Sequence, residues 1–376
     1  MQSADDGDGT GAESGVDGAA TAGGAGSDRG GRRGTAGGRG AGQHPASPYV
    51  ALFNRVAGFD PRELDAAFDS GLVVKATLMR MTLHAVHSDE HPEFRAAIVP
   101  MMDGTRFQAA FAAGGLTSAE AQAVATELAA YASEPRSGAE FEAWLHERLG
   151  MGATELWWAM RAVAPLLHAP TGGPWSFGQR PAFVAAPGSP ADPSRGLEVL
   201  TRRYLEGFGP ASVADIAQFV KVQRGRVKTA IAALDLEELE GPDGQLLYDV
   251  PGGARPDEDL PVPPRLMAMW DSVLLAYDDR GRVVPPEYKT VITRTNGDLL
   301  PTVLVDGYVA GVWRPIDDGI EVTAFQRLPA ATWKALRPEA RRLFAMVRER
   351  DPRVYRRYDH WWKHLPAVDT RVLPGK

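Results

Sequence analysis

The chain contains no cysteine. Disulfides, thiolate nucleophiles, cysteine-ligated zinc and iron–sulfur clusters are therefore excluded. No stretch approaches the roughly 20 uninterrupted apolar residues that span a bilayer, and the N-terminus lacks the basic-then-apolar pattern of a secretory signal. A cytoplasmic protein without membrane contact is expected. An excess of positive charge is lacking too: 48 acidic side chains outnumber 41 basic ones, so any affinity for nucleic acid must come from local basic patches. Walker, Rossmann, HExxH, GxSxG and EF-hand patterns do not occur in supporting context. No nucleotide, metal or other cofactor is expected. Residues 1–46 hold 15 glycines and, apart from Met1 and Val16, no Val, Ile, Leu, Met, Phe, Trp or Tyr. Such a stretch cannot offset an ordering cost of about 1–2 kcal/mol per residue, and it reads as a disordered tail.

The apolar pattern begins at Ser47, and the whole chain, 376 residues with 44% apolar content, supplies enough surface for more than one core. The first unit, 47–115, starts with two short helices at 49–56 and 61–68, Asp60 standing as N-cap and Pro61 at the first helical position. Residues 73–86, VVKATLMRMTLHAV, are rich in β-branched residues and read as a strand pair or wing. Ser88, followed by two acids, should cap the next helix. A second unit, 116–190, carries helix signals at 118–132, 137–149 and 153–161, then two apolar runs around Thr171-Gly172-Gly173-Pro174, a hairpin signature. The third unit, 191–262, repeats the order: helices at 194–208, 213–220 (capped by Ser212) and 223–234, then a hairpin around Pro242-Asp243-Gly244. Three helices followed by a β-hairpin is the winged-helix arrangement. The remainder, 263–376, shows apolar runs (266–277 and 302–313) that read as strands, a helix at 333–350 and a closing RRYDHWWKHLP. The fold class expected is α+β, mainly helical, with tandem winged-helix units and a C-terminal β-containing region.

The helix-turn-helix step is clearest at 211–234, where Ile216, Val220, Val227, Ile231 and Leu234 share an inner face. This leaves Lys221, Arg224, Arg226 and Lys228 toward the outside, as phosphate contact requires. A solvated helix face, or a protein-interaction module, would show the same pattern. Arg80, Thr82 and His84 alternate along one presumed strand beside a possible wing and share a face, so they are further candidates for DNA contact. His84, His87 and His91, with Asp89 between, come nearest to a metal cluster. Residues three apart in a strand face opposite sides and Pro92 disfavours helix at His91, so no common ligating face follows. Trp157-Trp158 and Trp361-Trp362 suit core packing, although aromatic pairs also stack on bases.

Four stretches together, DPRELDAAFDSGLVVKATLMRMTLHAV, RRYLEGFGPASVADIAQF, RLMAMWDSVLLAYDDR and LPTVLVDGYVAGVWR, resemble the AlkZ-like winged-helix proteins, the helix-turn-helix 42 superfamily. The resemblance runs from about Gln43 to Pro374. It implies three tandem winged helices in a C-shaped array and a DNA glycosylase activity that excises bulky N7-alkylated purines and unhooks interstrand crosslinks. Double-stranded DNA, alkylated or crosslinked, is the implied partner. The family's signature is Gln, an apolar residue, Gln. Here Gln43 matches the second glutamine, whereas Ala41 and Gly42 occupy the first two positions. N7-alkylated purines leave as neutral bases, so an amide that orients water serves such chemistry. The catalytic residue implied is Gln43. A non-catalytic DNA-binding protein such as a transcriptional regulator is the alternative, and a protein-interaction scaffold would bind no DNA at all. The helix that precedes the motif in the family has no counterpart in residues 1–40, as a misassigned start or shifted reading frame would produce.

Overall fold

Side-chain caps decide where the α-helices at Pro61, Ser118, Gly138, Pro193 and Val213 begin. In the computed structural model, which describes residues 44–150, 154–188, 191–295 and 297–375, α1 (Ser47–Arg55) is followed by α2 (Pro61–Asp69). Asp60 accepts the Arg62 amide at 2.9 Å, and Pro61 takes the first helical position, where its missing N–H costs nothing. His44 to Ala46, expected in the tail, are packed instead, Ala46 being fully buried.

The hairpin of β1 (Val73–Thr77) and β2 (Leu83–His87) pairs antiparallel, with Lys75 opposite Ala85 and Ala76 opposite His84. The strand reading fails between them. Met79–Met81 is a 3₁₀ turn in which Arg80 (φ 55°) and Met81 (φ 58°) adopt left-handed backbone, so alternation across 79–84 does not exist. Ser88 caps nothing: α3 (His91–Ile98) starts after Glu90 without a side-chain cap bond, and the Ser88 amide instead closes the hairpin onto Leu72 O at 2.9 Å.

Next come α4 (Thr105–Ala113), α5 (Ser118–Tyr131), β3 (Arg136–Ser137), α6 (Gly138–Leu149), α7 (Thr154–Val163), β4 (Leu166–Ala169) and β5 (Ala182–Ala185). Thr117 with Glu120, and Ser137 with Glu140, form reciprocal capping boxes on α5 and α6, each satisfying two otherwise orphaned N–H groups. The two hairpins expected in separate units share one sheet, ordered β2-β1-β4-β5-β3. Pairing β1 with β4 removes an exposed strand edge and sets Lys75 opposite His168.

The third segment comprises α8 (Pro193–Phe208), α9 (Val213–Val220), α10 (Arg224–Ala232), β6 (Glu237–Glu240) and β7 (Leu246–Asp249). α8 lies so close to α3 that a Cβ on Gly196 would stand 2.3 Å from Glu93 O. After it, β8 (Arg265–Leu266), α11 (Pro286–Ile292), β9 (Thr302–Val305), β10 (Tyr308–Ile316), β11 (Gly319–Ala324), α12 (Ala330–Arg350) and β12 (Asp369–Pro374) build a second sheet, ordered β12-β11-β10-β9-β8. The strand expected across 266–277 shrinks to Arg265–Leu266. Asp271, fully buried, accepts two bonds from Arg55 (2.8 and 2.6 Å) and caps a 3₁₀ turn at Ser272–Leu275.

The architecture is α+β, with three antiparallel sheets among the described residues. Two buried cores result. One joins α1 and α2 to the C-terminal sheet and α12; the other joins α3 to α10 with the opposite face of the β1–β2 hairpin. No described helix is long and apolar enough to cross a membrane.

Candidate functional site

The residue after Gln43 marks the site; Gln43 itself lies outside the described residues, as do Ala41 and Gly42. His44 folds over the start of α1. Its Nδ1 accepts the Ala46 amide at 3.3 Å, and its ring meets Tyr355 edge-on with centroids 4.9 Å apart. Ser47 Oγ and the Tyr355 hydroxyl hydrogen-bond at 3.1 Å. Burial above all lowers the His44 pKa to about 4; Asp351 opposes this, while Arg357 and Lys75 reinforce it. The ring is therefore neutral at pH 7, and because Nδ1 accepts, the proton sits on Nε2.

Beneath His44 lies a cavity of about 20 Å³ lined by His44, Ser47, Lys75, Phe177 and Trp270, with strand residues 83–85 behind. This is room for roughly one water. Lys75 projects from β1 and is only 8% exposed. Its ammonium stands 4.3 Å from the centroid of Phe177. Burial pushes its pKa down to about 8, and no carboxylate pulls it back. A buried cation lacking a counter-charge is unusual, because desolvation is normally offset by an ion pair.

The scaffold around the cavity is heavily bonded. Asp65 on α2 takes both bonds from one nitrogen of Arg350 (2.7 Å to each oxygen) and also accepts from the Tyr49 hydroxyl (2.6 Å) and Ser176 (2.9 Å). Burial alone would raise the Asp65 pKa; the bonds from Arg350, Tyr49 and Ser176 carry it below the usual carboxylate value. α1, α2, the β4–β5 connection and α12 are thus tied together around His44.

Arg80, Thr82 and His84 do not reach the surface. They are 7%, 9% and 1% exposed: the turn that holds Arg80 packs against α9, and Thr82 and His84 follow it into β2. Arg80 donates to Phe219 O at 3.0 Å and lies 4.6 Å over the Phe219 ring. Thr82 Oγ1 donates to Met79 O at 2.9 Å. That hydrogen being committed, His84 Nε2, 3.0 Å from Thr82 Oγ1 and 3.2 Å from Met79 O, is the donor. His84 Nδ1 is left as a buried acceptor without a partner. Strand alternation turns this ring away from Lys75. Burial lowers the His84 pKa to about 3, with Arg80 contributing.

The helix-turn-helix cations lie elsewhere, at α9–α10. Ser212 and Asp215 form the capping box of α9, and Lys221 turns the chain with φ 68°. Ile216, Val220, Val227 and Ile231 are buried, as the periodicity predicts, while Leu234 is half-buried. Lys221, Arg224 and Lys228 are exposed and Arg226 half-buried. Lys221 Nζ donates to Gln218 at 2.7 Å, and Arg224 stands 3.6 Å from Asp278. Burial first, then Arg80 and Arg280, lower the Lys221 pKa. Arg80 therefore adds positive potential to this face from within the protein. Sequence reasoning missed Arg280, which lies far along the chain, and Lys75, whose signal was an isolated cation in an otherwise apolar strand.

Trp157 is core, stacked on Phe141 with centroids 4.5 Å apart; Trp158 stacks on Phe107 at 5.2 Å. Among the described residues no cluster of metal-ligating side chains is present.

Comparison with known proteins follows the same lines. The interstrand DNA cross-link repair glycosylase of Streptomyces sahachiroi is 28% identical over 216 residues, 52% of this chain and 55% of that protein. The match thus spans about half the length of that relative. The solved structure of the Streptomyces sahachiroi DNA glycosylase AlkZ superposes with a TM-score of 0.65 at 20% identity, over 80% of this chain and 85% of that one, which establishes likeness of fold. The profile of the family described as DNA glycosylase AlkZ-like matches residues 40–346, and the chain belongs to that family.

Proposed function

We propose that the protein is a DNA glycosylase that removes N7-alkylated purines, including bulky or crosslinked ones, from duplex DNA, with Gln43 orienting the hydrolytic water. The observation that carries this reading is the position of His44. The residue joined to Gln43 roofs a small, mainly apolar cavity that holds the Lys75 amine and whose walls come from α1, the β1–β2 hairpin, Phe177 and Trp270, in a chain whose family match begins at residue 40. An amide beside such a cavity can hold a water against the anomeric carbon while the cationic purine departs.

Three winged-helix units, 47–115, 116–190 and 191–262, followed by the region 263–376, are the domain organisation we infer. Three helices before β4–β5 and three before β6–β7 support the second and third units, while two helices, α1 and α2, precede β1–β2 among the described residues. Lys221, Arg224, Arg226 and Lys228 contact phosphate, while Arg80, Thr82 and His84 act from inside, bracing the hairpin and strengthening the potential at Lys221. No metal or nucleotide cofactor takes part in this scheme, and the site of action is the nucleoid in the cytoplasm.

The test incubates the protein with duplex DNA carrying N7-methylguanine or a nitrogen-mustard crosslink and counts abasic sites, with Gln43→Ala alongside. Product from the wild type and a fall of at least tenfold in the variant are expected. Equal product removes Gln43 from the mechanism, and binding without product assigns a regulator instead. Affinity should fall with salt at a slope of about −0.9 per neutralised phosphate, and Lys228→Ala should lessen that slope by about one.

A further inference from the structure

Hydrolysis of an N7-alkylated purine nucleotide has a proton to dispose of. The C1′–N9 bond breaks and its electron pair neutralises the cationic purine; the C1′–O bond forms, and the attacking water must give up one proton. A glutamine amide cannot take it, because amide groups are not basic near neutral pH. No acidic side chain lines the cavity below His44. The His44 ring has its lone pair occupied by the Ala46 amide and presents an N–H at Nε2. His84 also lines the cavity and has an unpartnered Nδ1, but burial holds its pKa near 3, too low to keep a proton at neutral pH. The basic group that remains is the amine of Lys75, buried among Phe177 and the strands and held by no carboxylate.

We propose that Lys75 is the terminal proton acceptor of the glycosylase reaction, receiving the proton through a single water that the cavity holds between His44 and the lysine amine. The inference rests on the glycosylase reading above. The reaction balances: the neutral amine becomes ammonium, and the proton returns to solvent after the product leaves. No other reactant is needed. The groups that set the amine's behaviour face it from every side. His44 lies above it and His168 directly across from it on β4, both held neutral by burial. Arg161 lowers the pKa of His168, and at His44 Arg357 lowers it while Asp351 raises it. Burial is what lowers the Lys75 pKa, and it favours the unprotonated amine that a base requires.

Two measurements test this. The first is NMR titration of the Lys75 side chain in the free protein, which is independent of any activity. A midpoint near 8 is expected, and one near 10.5 overturns the proposal even if the protein excises bases. The second is single-turnover excision of N7-methylguanine from duplex DNA between pH 6 and 9.5. The wild-type rate should climb with pH and level off above about 8. Lys75→Met should lose about 100-fold on the plateau, the usual worth of a positioned base, approach the wild type at pH 6 and bind the duplex equally well. A parallel pH profile in Lys75→Met overturns the proposal. So does a loss that is uniform with pH and accompanied by weaker DNA binding, which would make Lys75 a phosphate anchor. A covalent protein–DNA adduct trapped by borohydride would also overturn it, since the amine would then be a nucleophile. Absence of excision by the wild type, with the titration midpoint near 8, would instead sink the glycosylase reading.

Discussion

Replacing Lys75 by methionine should make the folded protein more stable at neutral pH. The side chain is 8% exposed, and burial lowers its pKa from 10.5 to about 8. At roughly 1.4 kcal/mol per pH unit, keeping the ammonium buried costs about 3 kcal/mol. The contact with Phe177 returns about 1 kcal/mol of that, and methionine of similar length refills the space. The net gain expected at pH 7 is about 2 kcal/mol. Its pH dependence has a defined sign. Below pH 8 both folded and unfolded chains carry the proton, and the penalty is complete. Between about 8 and 10.5 the folded chain loses the proton first, the unfolded chain holds more protons, and stability of the wild type rises with pH. Above 10.5 both are neutral and the penalty is gone. Urea midpoints of wild type and Lys75→Met at pH 7 and pH 10.5 read this directly. Equal midpoints at pH 7, or an advantage that persists undiminished at pH 10.5, would refute the reasoning that Lys75 is a buried cation without a partner.

Three other outcomes follow from the same coordinates. His44, His84 and His91 have pKa values lowered to about 4, 3 and 4 by burial; below pH 6.5 the unfolded chain takes up protons that the folded chain refuses, so each should cost about 1.4 kcal/mol by pH 5.5, seen as a falling thermal midpoint that His84→Gln makes shallower. Asp65→Asn leaves Arg350 without its carboxylate and should cost about 2–4 kcal/mol in urea denaturation, less than for a fully buried pair because Asp65 is partly exposed. Gly196→Ala should destabilise by at least about 1–3 kcal/mol through the clash with Glu93 O, whereas Gly207→Ala on the same helix, where an added Cβ meets nothing within 4 Å, should stabilise by about 0.5–1 kcal/mol; equal effects at the two sites would contradict the α3–α8 packing.

How much of this was legible beforehand depends on the range of the interaction concerned. Caps act over three residues, so Asp60 and Ser212 marked their helices correctly although Ser88 did not, and the 3.6-residue period placed Ile216, Val220, Val227 and Ile231 inside. The turn at Met79–Met81 was not legible, because its sequence alternates like a strand; what stabilises left-handed backbone at Arg80 is a bond to Phe219 O, 139 residues away. The same holds for Asp271, whose partner Arg55 is 216 residues distant and which turns an apolar run into a 3₁₀ turn where the composition alone reads as strand. The candidate site divides along the same line. The helix-turn-helix cations follow from local spacing, whereas the cavity exists only because His44, Lys75, Phe177 and Trp270, spread over more than half the chain, converge. Lys75 shows why such residues escape a sequence reading: in VVKAT it occupies the same strand face as Val73, so periodicity assigns it inward while its charge assigns it outward. Such a conflict between pattern and chemistry is evidence in its own right, since a fold that tolerates a costly buried amine gains something from it other than stability.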